Sequence, residues 1–470
     1  MLYICISSKS IKKMKKQLLL VVFITTLLSS CSENKNKEVI TQNTSTQNTN
    51  TKNEYTLNSS KLDSLFEVLD KNGEFMGSIA LSYDGKIIYT NAIGFADIET
   101  QKKATKNTKY RIGSISKMFT ATLVLKAVEE DKIKLEQTIE TYFPKVKNAN
   151  KITIENLLNH RSGIFNFTND EAFITYLTEY KTPEEMVEII SNFKSDFEPN
   201  TKGDYSNSNY VLLSIILEKV YDSSLKDLIT EKISVPLHLK NTYYGAKINV
   251  ADNESNSYKL STEWTQGPEV DMSIPMGAGA IVSTSSDVTT FMEALFSGKI
   301  ISAQSIELMT TIKGTYGMGL SRYSINDRES FGHSGSLGGF KSLAMYFPNE
   351  KLGIAITSNG DANKKQEILS EALSYYFNDS FLEALEEDLK KYAGAYTSVK
   401  DKADNFTFTH EKNALILEIG EEYRETLIYK GDHKFLFEQV YAESFTFIFS
   451  LAKEELWVKQ GDYEAIYKKE

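Results

Sequence analysis

The sequence predicts an α+β protein: an antiparallel sheet flanked by helices, a helical subdomain, and a small all-β domain at the C-terminal end. Three observations carry this. A helical period and a two-strand pattern open the folded part, over residues 60–92. A long, mostly helical stretch reaches about Leu239, and strand patterns then lead to a closing helix over 366–377. Strands at both ends of a helical middle can bury their faces only by sharing one sheet, and the hairpin spacing makes that sheet largely antiparallel. After about Glu383 the texture changes to short strands with turn residues between them, which is a separate barrel or sandwich.

Length and composition agree with that division. At 470 residues the chain exceeds one ordinary domain, and 41% hydrophobic with 25% charged residues suits a soluble fold with a sizeable core. The first 31 residues hold five lysines and no acid; without them, 48 basic residues face 63 acidic ones, a net charge near −15. That balance argues against nucleic acid as a partner and against electrostatic adhesion to anionic lipid.

The N-terminal stretch has the form of an export signal. Lysines 12, 13, 15 and 16 precede Leu18-Leu19-Leu20-Val21-Val22-Phe23-Ile24, and Met14 is a plausible alternative start. The apolar run is too short for a spanning helix. It ends in Leu28-Ser29-Ser30-Cys31, which resembles the lipobox of bacterial lipoproteins. That resemblance implies lipidation at Cys31, a signal peptide over 1–31, and an exported protein anchored at the cell envelope. Cys5 lies upstream of the expected cut, so no thiol remains for a disulfide or a thiolate metal site. Residues 32–58 are Ser, Glu, Asn, Lys, Gln and Thr for the most part, and read as a disordered tether.

From residue 59 the elements follow in order. Leu62, Leu65, Phe66 and Leu69 share one helical face over 60–72. Two strands, 78–83 and 86–92, flank the turn Asp84-Gly85. A helix beginning near Ser114 carries Met118, Phe119, Leu123, Val124 and Leu125 into the interior, and another opens near Thr153. After Phe197-Glu198-Pro199-Asn200 breaks the helical pattern, Gly203-Asp204-Tyr205-Ser206-Asn207-Ser208-Asn209 leads into an apolar helix over 210–220. Ser206 and Ser208 are expected as its caps. Met276-Gly277-Ala278-Gly279 suggests close backbone approach, and Ser283–Asp287 caps a helix over 288–296. Strands are expected at 316–323, 330–340, 342–347 and 352–358, and in the last domain from Phe406 to Tyr467. The domains are therefore 59–378 and 384–470.

Ser114 and Lys117 lie three apart at the start of a buried helix, so their polar ends can meet. A serine hydroxyl needs a base to become nucleophilic, and a lysine serves as one only if burial depresses its pKa. The spacing alone is weak, since it recurs at Ser191/Lys194 and Ser450/Lys453 among others. Tyr205-x-Asn207 is equally weak by itself, while His333-x-Gly335 occurs once. His160, in Leu157-Leu158-Asn159-His160-Arg161-Ser162-Gly163, has no metal-ligand neighbours at the right spacing and reads as a structural histidine under a turn. No metal or cofactor is expected.

In this order, with the Gly277-Ala278-Gly279 stretch, these segments resemble the serine β-lactamase and penicillin-binding-protein superfamily, in its class-C-like branch, over roughly 58–377. The resemblance implies a β-lactamase/transpeptidase-like fold. It implies acyl transfer through an acyl-enzyme at Ser114, with Lys117 as partner in proton transfer and Tyr205 as base or relay to the leaving group. It gives Asn207 the substrate amide, Gly335 a bare strand edge for an extended substrate, and the amides of Ser114 and Ser336 the oxyanion hole. Substrates implied are D-amino-acid peptides or amides, esters, or β-lactams, including peptidoglycan-like peptides. His333 departs from the lysine of many relatives. It stands either as a carboxylate reader that works when protonated, or as a neutral member of the Tyr205 relay. A different class of function, a membrane-tethered scaffold that kept the fold, predicts decay at Ser114, Lys117 or Tyr205. All three residues are present.

Overall fold

The structure is a computed structural model that describes residues 57–325, 328–378, 386–402, 404–411, 414–419, 423–429, 433–437, 445–460 and 463–470. The signal, most of the tether and Cys31 lie outside the described residues. These residues form two compact units, 57–378 and 386–470.

The first unit is built on a six-stranded antiparallel sheet drawn from both of its ends. Helix α1 (Ser59–Asn72) and the hairpin β1 (Phe75–Tyr83) and β2 (Lys86–Ile93) come first. Asp84 and Gly85 both take positive φ, +45° and +80°, as a tight two-residue hairpin turn requires. The strands β3 (Ser321–Ile325), β4 (Arg328–Leu337), β5 (Phe340–Phe347) and β6 (Leu352–Asp361) come last. β6 pairs with β1, giving the order β3-β4-β5-β6-β1-β2. The expected strand over 316–323 begins only at Ser321. The positive φ of Gly319, +78°, breaks extension there, and a Cβ at Gly319 would stand 2.7 Å from the Lys117 carbonyl oxygen.

Alternation along β5 separates the two faces of the sheet. Ser342 bonds the Ile112 carbonyl at 2.7 Å, and Tyr346 bonds Glu293 at 3.3 Å. That face therefore meets the Ser114 turn and the helix Ser285–Phe296. Lys341 and Phe347 point to the opposite face, where Phe347 packs edge-on against Phe377 of the closing helix Lys365–Phe377, with centroids 5.8 Å apart. The helical subdomain is inserted between β2 and β3. Its centre is formed by α2 (Ser116–Glu129) and α3 (Asn207–Tyr221), both with side chains buried nearly all round. That explains their weak amphipathicity in sequence: a helix covered on every side needs no polar stripe.

The C-terminal unit begins with the helix Glu386–Tyr392 and continues as a closed antiparallel barrel of eight strands, Gly394–Ser398 through Tyr463–Lys469. Of the two expected forms, barrel or sandwich, it is the barrel. Strand Gly394–Ser398 escaped the sequence reading because Tyr396 is its one large side chain. Buried residues recur every second position (Leu415 and Leu417, Phe435 and Phe437, Phe447 and Phe449, Leu456 and Val458), so one face of each strand fills the interior.

Candidate active site

The site starts from a turn that only glycine permits. Tyr110–Arg111 pairs with Ile281–Ser283, and the buried Arg111 guanidinium donates to the Val270 and Ala246 carbonyls at 2.6 and 2.9 Å and to Glu269 at 3.0 Å. The chain then turns at Gly113, φ +52°, where a Cβ would stand 2.8 Å from the Ser336 nitrogen. The absent side chain lets β4 approach, and brings the Ser336 amide against the turn carrying Ser114. Ser114 itself lies in a 3₁₀ turn, Gly113–Ile115, one step ahead of α2 and not inside it. The three-residue spacing still puts Ser114 and Lys117 together, with Nζ 3.0 Å from Oγ.

Lys117 is fully buried, and desolvation holds its pKa well below the usual lysine range. Its Nζ has three neighbours: Ser114 Oγ, Asn207 Oδ1 at 2.8 Å and the Ala278 carbonyl at 2.8 Å. A neutral amine has two N–H groups and one lone pair. The two pure acceptors take the N–H groups, which leaves the lone pair facing the Ser114 hydroxyl. The close backbone approach expected at Gly277 places that carbonyl: a Cβ on Gly277 would lie 2.8 Å from the Tyr210 carbonyl oxygen, and Thr120 bonds the Gly277 carbonyl at 2.7 Å.

Asn207 is held for this purpose. Its Nδ2 donates to Asn166 Oδ1 at 3.3 Å and to Thr168 Oγ1 at 3.1 Å, while its backbone N–H donates to the same Asn166 oxygen at 3.0 Å. Both side-chain N–H groups are thus occupied by protein, and Oδ1 is turned to Lys117. This differs from the expected role of orienting a substrate amide; here Asn207 orients the lysine. Asn166 and Thr168 were not singled out in the sequence. A polar pair set around Phe167, just after the Leu157–Gly163 segment, was the available signal.

Tyr205 completes the group, its hydroxyl donating to Ser114 Oγ at 2.8 Å. Lys117 Nζ lies 4.9 Å from the Tyr205 ring centroid. His160 is buried beneath, its ring 4.5 Å from that of Tyr205, and its Nδ1 accepts the Ser206 N–H at 3.1 Å. Burial keeps His160 well below its ordinary pKa. Geometry therefore agrees with a structural histidine that props the Tyr205 loop. Ser206 takes the N-cap position of α3 without a side-chain cap bond, and Ser208 ties back to Phe165 and Phe167. Ser206 is thus the expected cap by position, while Ser208 lies inside the helix.

β4 supplies the remaining wall. β3 pairs with β4 only as far as Gly332, so residues 333–337 keep one edge free of β3. Gly335 lies on this free stretch, but its missing side chain faces inward: a Cβ there would stand 2.1 Å from the Ile112 carbonyl oxygen. Glycine is needed so that the strand can reach the turn, and not to clear room for a substrate. His333 is buried 6.1 Å from the Tyr205 ring, with its Nδ1 beside the Ser334 carbonyl. Burial pushes its pKa down to about 3. A neutral imidazole in this place fits the second of the two expected roles, a neutral member of the Tyr205 relay. Among the described residues no group of three or more His, Cys, Asp or Glu could hold a metal ion.

Comparison with known proteins agrees with this geometry. Residues 62–373 match the family model described as Beta-lactamase. The chain is 26% identical over 442 residues to "Penicillin-binding protein 4*" of Bacillus subtilis, covering 86% of this chain and 97% of that protein. The octameric penicillin-binding protein homologue from Pyrococcus abyssi superposes with a TM-score of 0.63 at 25% identity, covering 87% of this chain and 100% of the other. A D-stereospecific amidohydrolase from Streptomyces sp. matches at 27% identity and a TM-score of 0.57, covering 68% and 98%. The match spans both halves of the sheet and every segment gathered around Ser114, and the chain belongs to the Beta-lactamase family, a family of serine hydrolases that includes penicillin-binding proteins.

Proposed function

We propose that the protein hydrolyses D-amino-acid amides, peptides or esters by acyl transfer through Ser114. The observation that carries this reading is the double contact at Ser114 Oγ, 3.0 Å from Lys117 Nζ and 2.8 Å from the Tyr205 hydroxyl. Ser114 Oγ bonds to the acyl carbon while its proton passes to the neutral Lys117. The amides of Ser114 and Ser336 meet the developing oxyanion. The scissile C–N or C–O bond breaks as the leaving group takes a proton through Tyr205. Water then attacks the Ser114 ester, gives its proton to the same pair, and frees the acid. Preference for D-amino-acid substrates is supported by the likeness to the Streptomyces amidohydrolase.

The test is a fluorophosphonate adduct mapped by mass spectrometry, with turnover of matched D- and L-amino-acid amides and small esters. An adduct on the Ser114 peptide and faster turnover of the D-amide are expected. Labelling at another serine would overturn the assignment. The lipobox-like Leu28-Ser29-Ser30-Cys31 further supports an envelope lipoprotein. Cys31→Ser should then move the protein from the membrane pellet to the soluble fraction, because stable anchoring needs more than one acyl chain or signal. A mutant that still sediments contradicts the anchor.

A further inference from the structure

The Ser336 amide can meet an oxyanion only while the last residues of β4 keep their place, and the strand alone does little to hold them. Beyond residue 332, β4 is paired with β5 and no longer with β3. It then turns through Gly338 and Gly339, with φ of +58° and +117°. Paired glycines accept these angles at no steric cost, but they also give the turn more backbone freedom than any other residues would. Ser336 stands only two residues before that turn.

The missing rigidity comes from a residue 81 positions earlier in the chain. Ser257 is 3% exposed, and its Oγ donates to the Gly338 carbonyl at 2.7 Å. The fit leaves no room for added side chains. A Cβ on Gly267 would stand 2.4 Å from the Gly338 carbonyl oxygen, and one on Gly339 would stand 3.0 Å from Ser257 Oγ. Ser257 is itself mounted on the sheet. Its carbonyl accepts the Gly267 N–H at 2.7 Å, which closes the stem of the hairpin Tyr258–Leu260 and Trp264–Gln266. The carbonyl of Asn256 accepts from the side chain of Asn359 at 2.8 Å, and Asn359 is a fully buried residue of β6. A path of hydrogen bonds thus runs from β6 through Asn256 and Ser257 to the end of β4.

We propose that Ser257 is a positioning residue of the oxyanion hole: its bond to Gly338 fixes the turn after β4 and, through it, the Ser336 amide. This rests on the reading of Ser114 as nucleophile and Ser336 as oxyanion donor. Ser257 touches no reacting atom. Its loss weakens a hydrogen bond made in the transition state and leaves substrate binding nearly intact.

The experiment compares an oxo ester with its thiono counterpart, in which sulfur replaces the carbonyl oxygen, on wild type, Ser257→Ala and Ser257→Cys. Sulfur is the weaker acceptor, so well-placed amides favour the oxo ester, and wild type should hydrolyse it faster. In Ser257→Ala, kcat/KM for the oxo ester should fall by about 10- to 100-fold, through kcat and not KM, as a small misplacement of a catalytic group costs. The thiono ester should lose less, so the ratio between the two narrows. Ser257→Cys nearly keeps the volume and donates only weakly, so it should narrow the ratio as well, and it decides the matter if Ser257→Ala does not fold. A merely loosened fold lowers both rates together. Rates unchanged or equally lowered on the two esters in Ser257→Cys therefore overturn the positioning role. A wild type with no preference for the oxo ester overturns Ser336 as donor. A wild type that neither hydrolyses the esters nor labels at Ser114 with a fluorophosphonate overturns the nucleophile assignment instead.

Discussion

The barrel interior and the interior beneath Ser114 bury side chains to a similar degree and differ in what they bury. Inside the barrel Phe408 meets Phe447 and Phe449 edge-on at 5.3 and 5.2 Å, and Phe435 meets Phe449 at 5.5 Å. Leu389 and Tyr392 of the preceding helix join the same cluster. Such a core is stabilised chiefly by apolar area and ring geometry. Around Ser114 the buried set includes Lys117, His160, Ser206, Asn209 and His333. Each buried polar group there costs desolvation, and only a fixed partner offsets it. The difference separates a core selected for stability from one in which stability is given up to hold ionisable groups neutral.

The largest effect expected from this contrast is at Ser114. Ser114→Ala removes one oxygen and no core volume, so the fold should stay intact while turnover falls by about 10⁴-fold or more. Steady-state kinetics beside a thermal melt checks both halves of that statement. In the barrel the order reverses. Phe447 is fully buried. Phe447→Ala should cost about 3–5 kcal/mol in a urea melt of that unit and leave Ser114 labelling unchanged. Loss of labelling would mean that the two cores are not independent.

Next in size is Asn166, which touches Asn207 and not the serine. Asn166→Ala should free the Asn207 amide to flip and lower kcat by about 10- to 100-fold, as expected for one or two lost buried hydrogen bonds. Asn166→Asp keeps the acceptor but adds a negative charge near Lys117, so its acylation profile should move to higher pH. Unaltered kcat in both variants would show that Lys117 is oriented without this clamp.

At physiological pH the smallest effect is at His333, and its sign follows from linkage. The unfolded chain takes up the imidazole proton near 6.5 and the folded chain only near 3, so the stability linked to this group is present above pH 6.5 and lost as pH falls toward 3. His333→Gln should therefore flatten the acid limb of stability in this unit by up to about 1.4 kcal/mol per pH unit. KM for a carboxylated substrate should show no histidine titration between about pH 5 and 8.

Much of this architecture could be read from residue order. The hairpin at Asp84-Gly85, the buried helix after Ser114 and the change of texture near residue 383 are local patterns. The Ser114–Lys117 contact followed from helical spacing. What could not be read is set by long-range approach. Asn166 reaches Asn207 across 41 residues, and Lys341 reaches Ser336 only through the register of β4 and β5. The inward-facing role of Gly335 depends on the Ile112 carbonyl, more than two hundred residues earlier in the chain. The burial of His333, which decides its charge, is likewise a property of the packed sheet.

The central claim is that burial keeps Lys117 neutral, with its lone pair on Ser114, at physiological pH. The pH dependence of Ser114 acylation by a neutral fluorophosphonate measures this directly, on wild type and on Lys117→Met. The account predicts a wild-type rate that reaches its plateau well below the ordinary lysine value of about 10.4, and a limb that disappears with most of the rate in Lys117→Met. A wild-type rate still climbing through that ordinary value, or a Lys117→Met protein acylated at the wild-type rate, would contradict it.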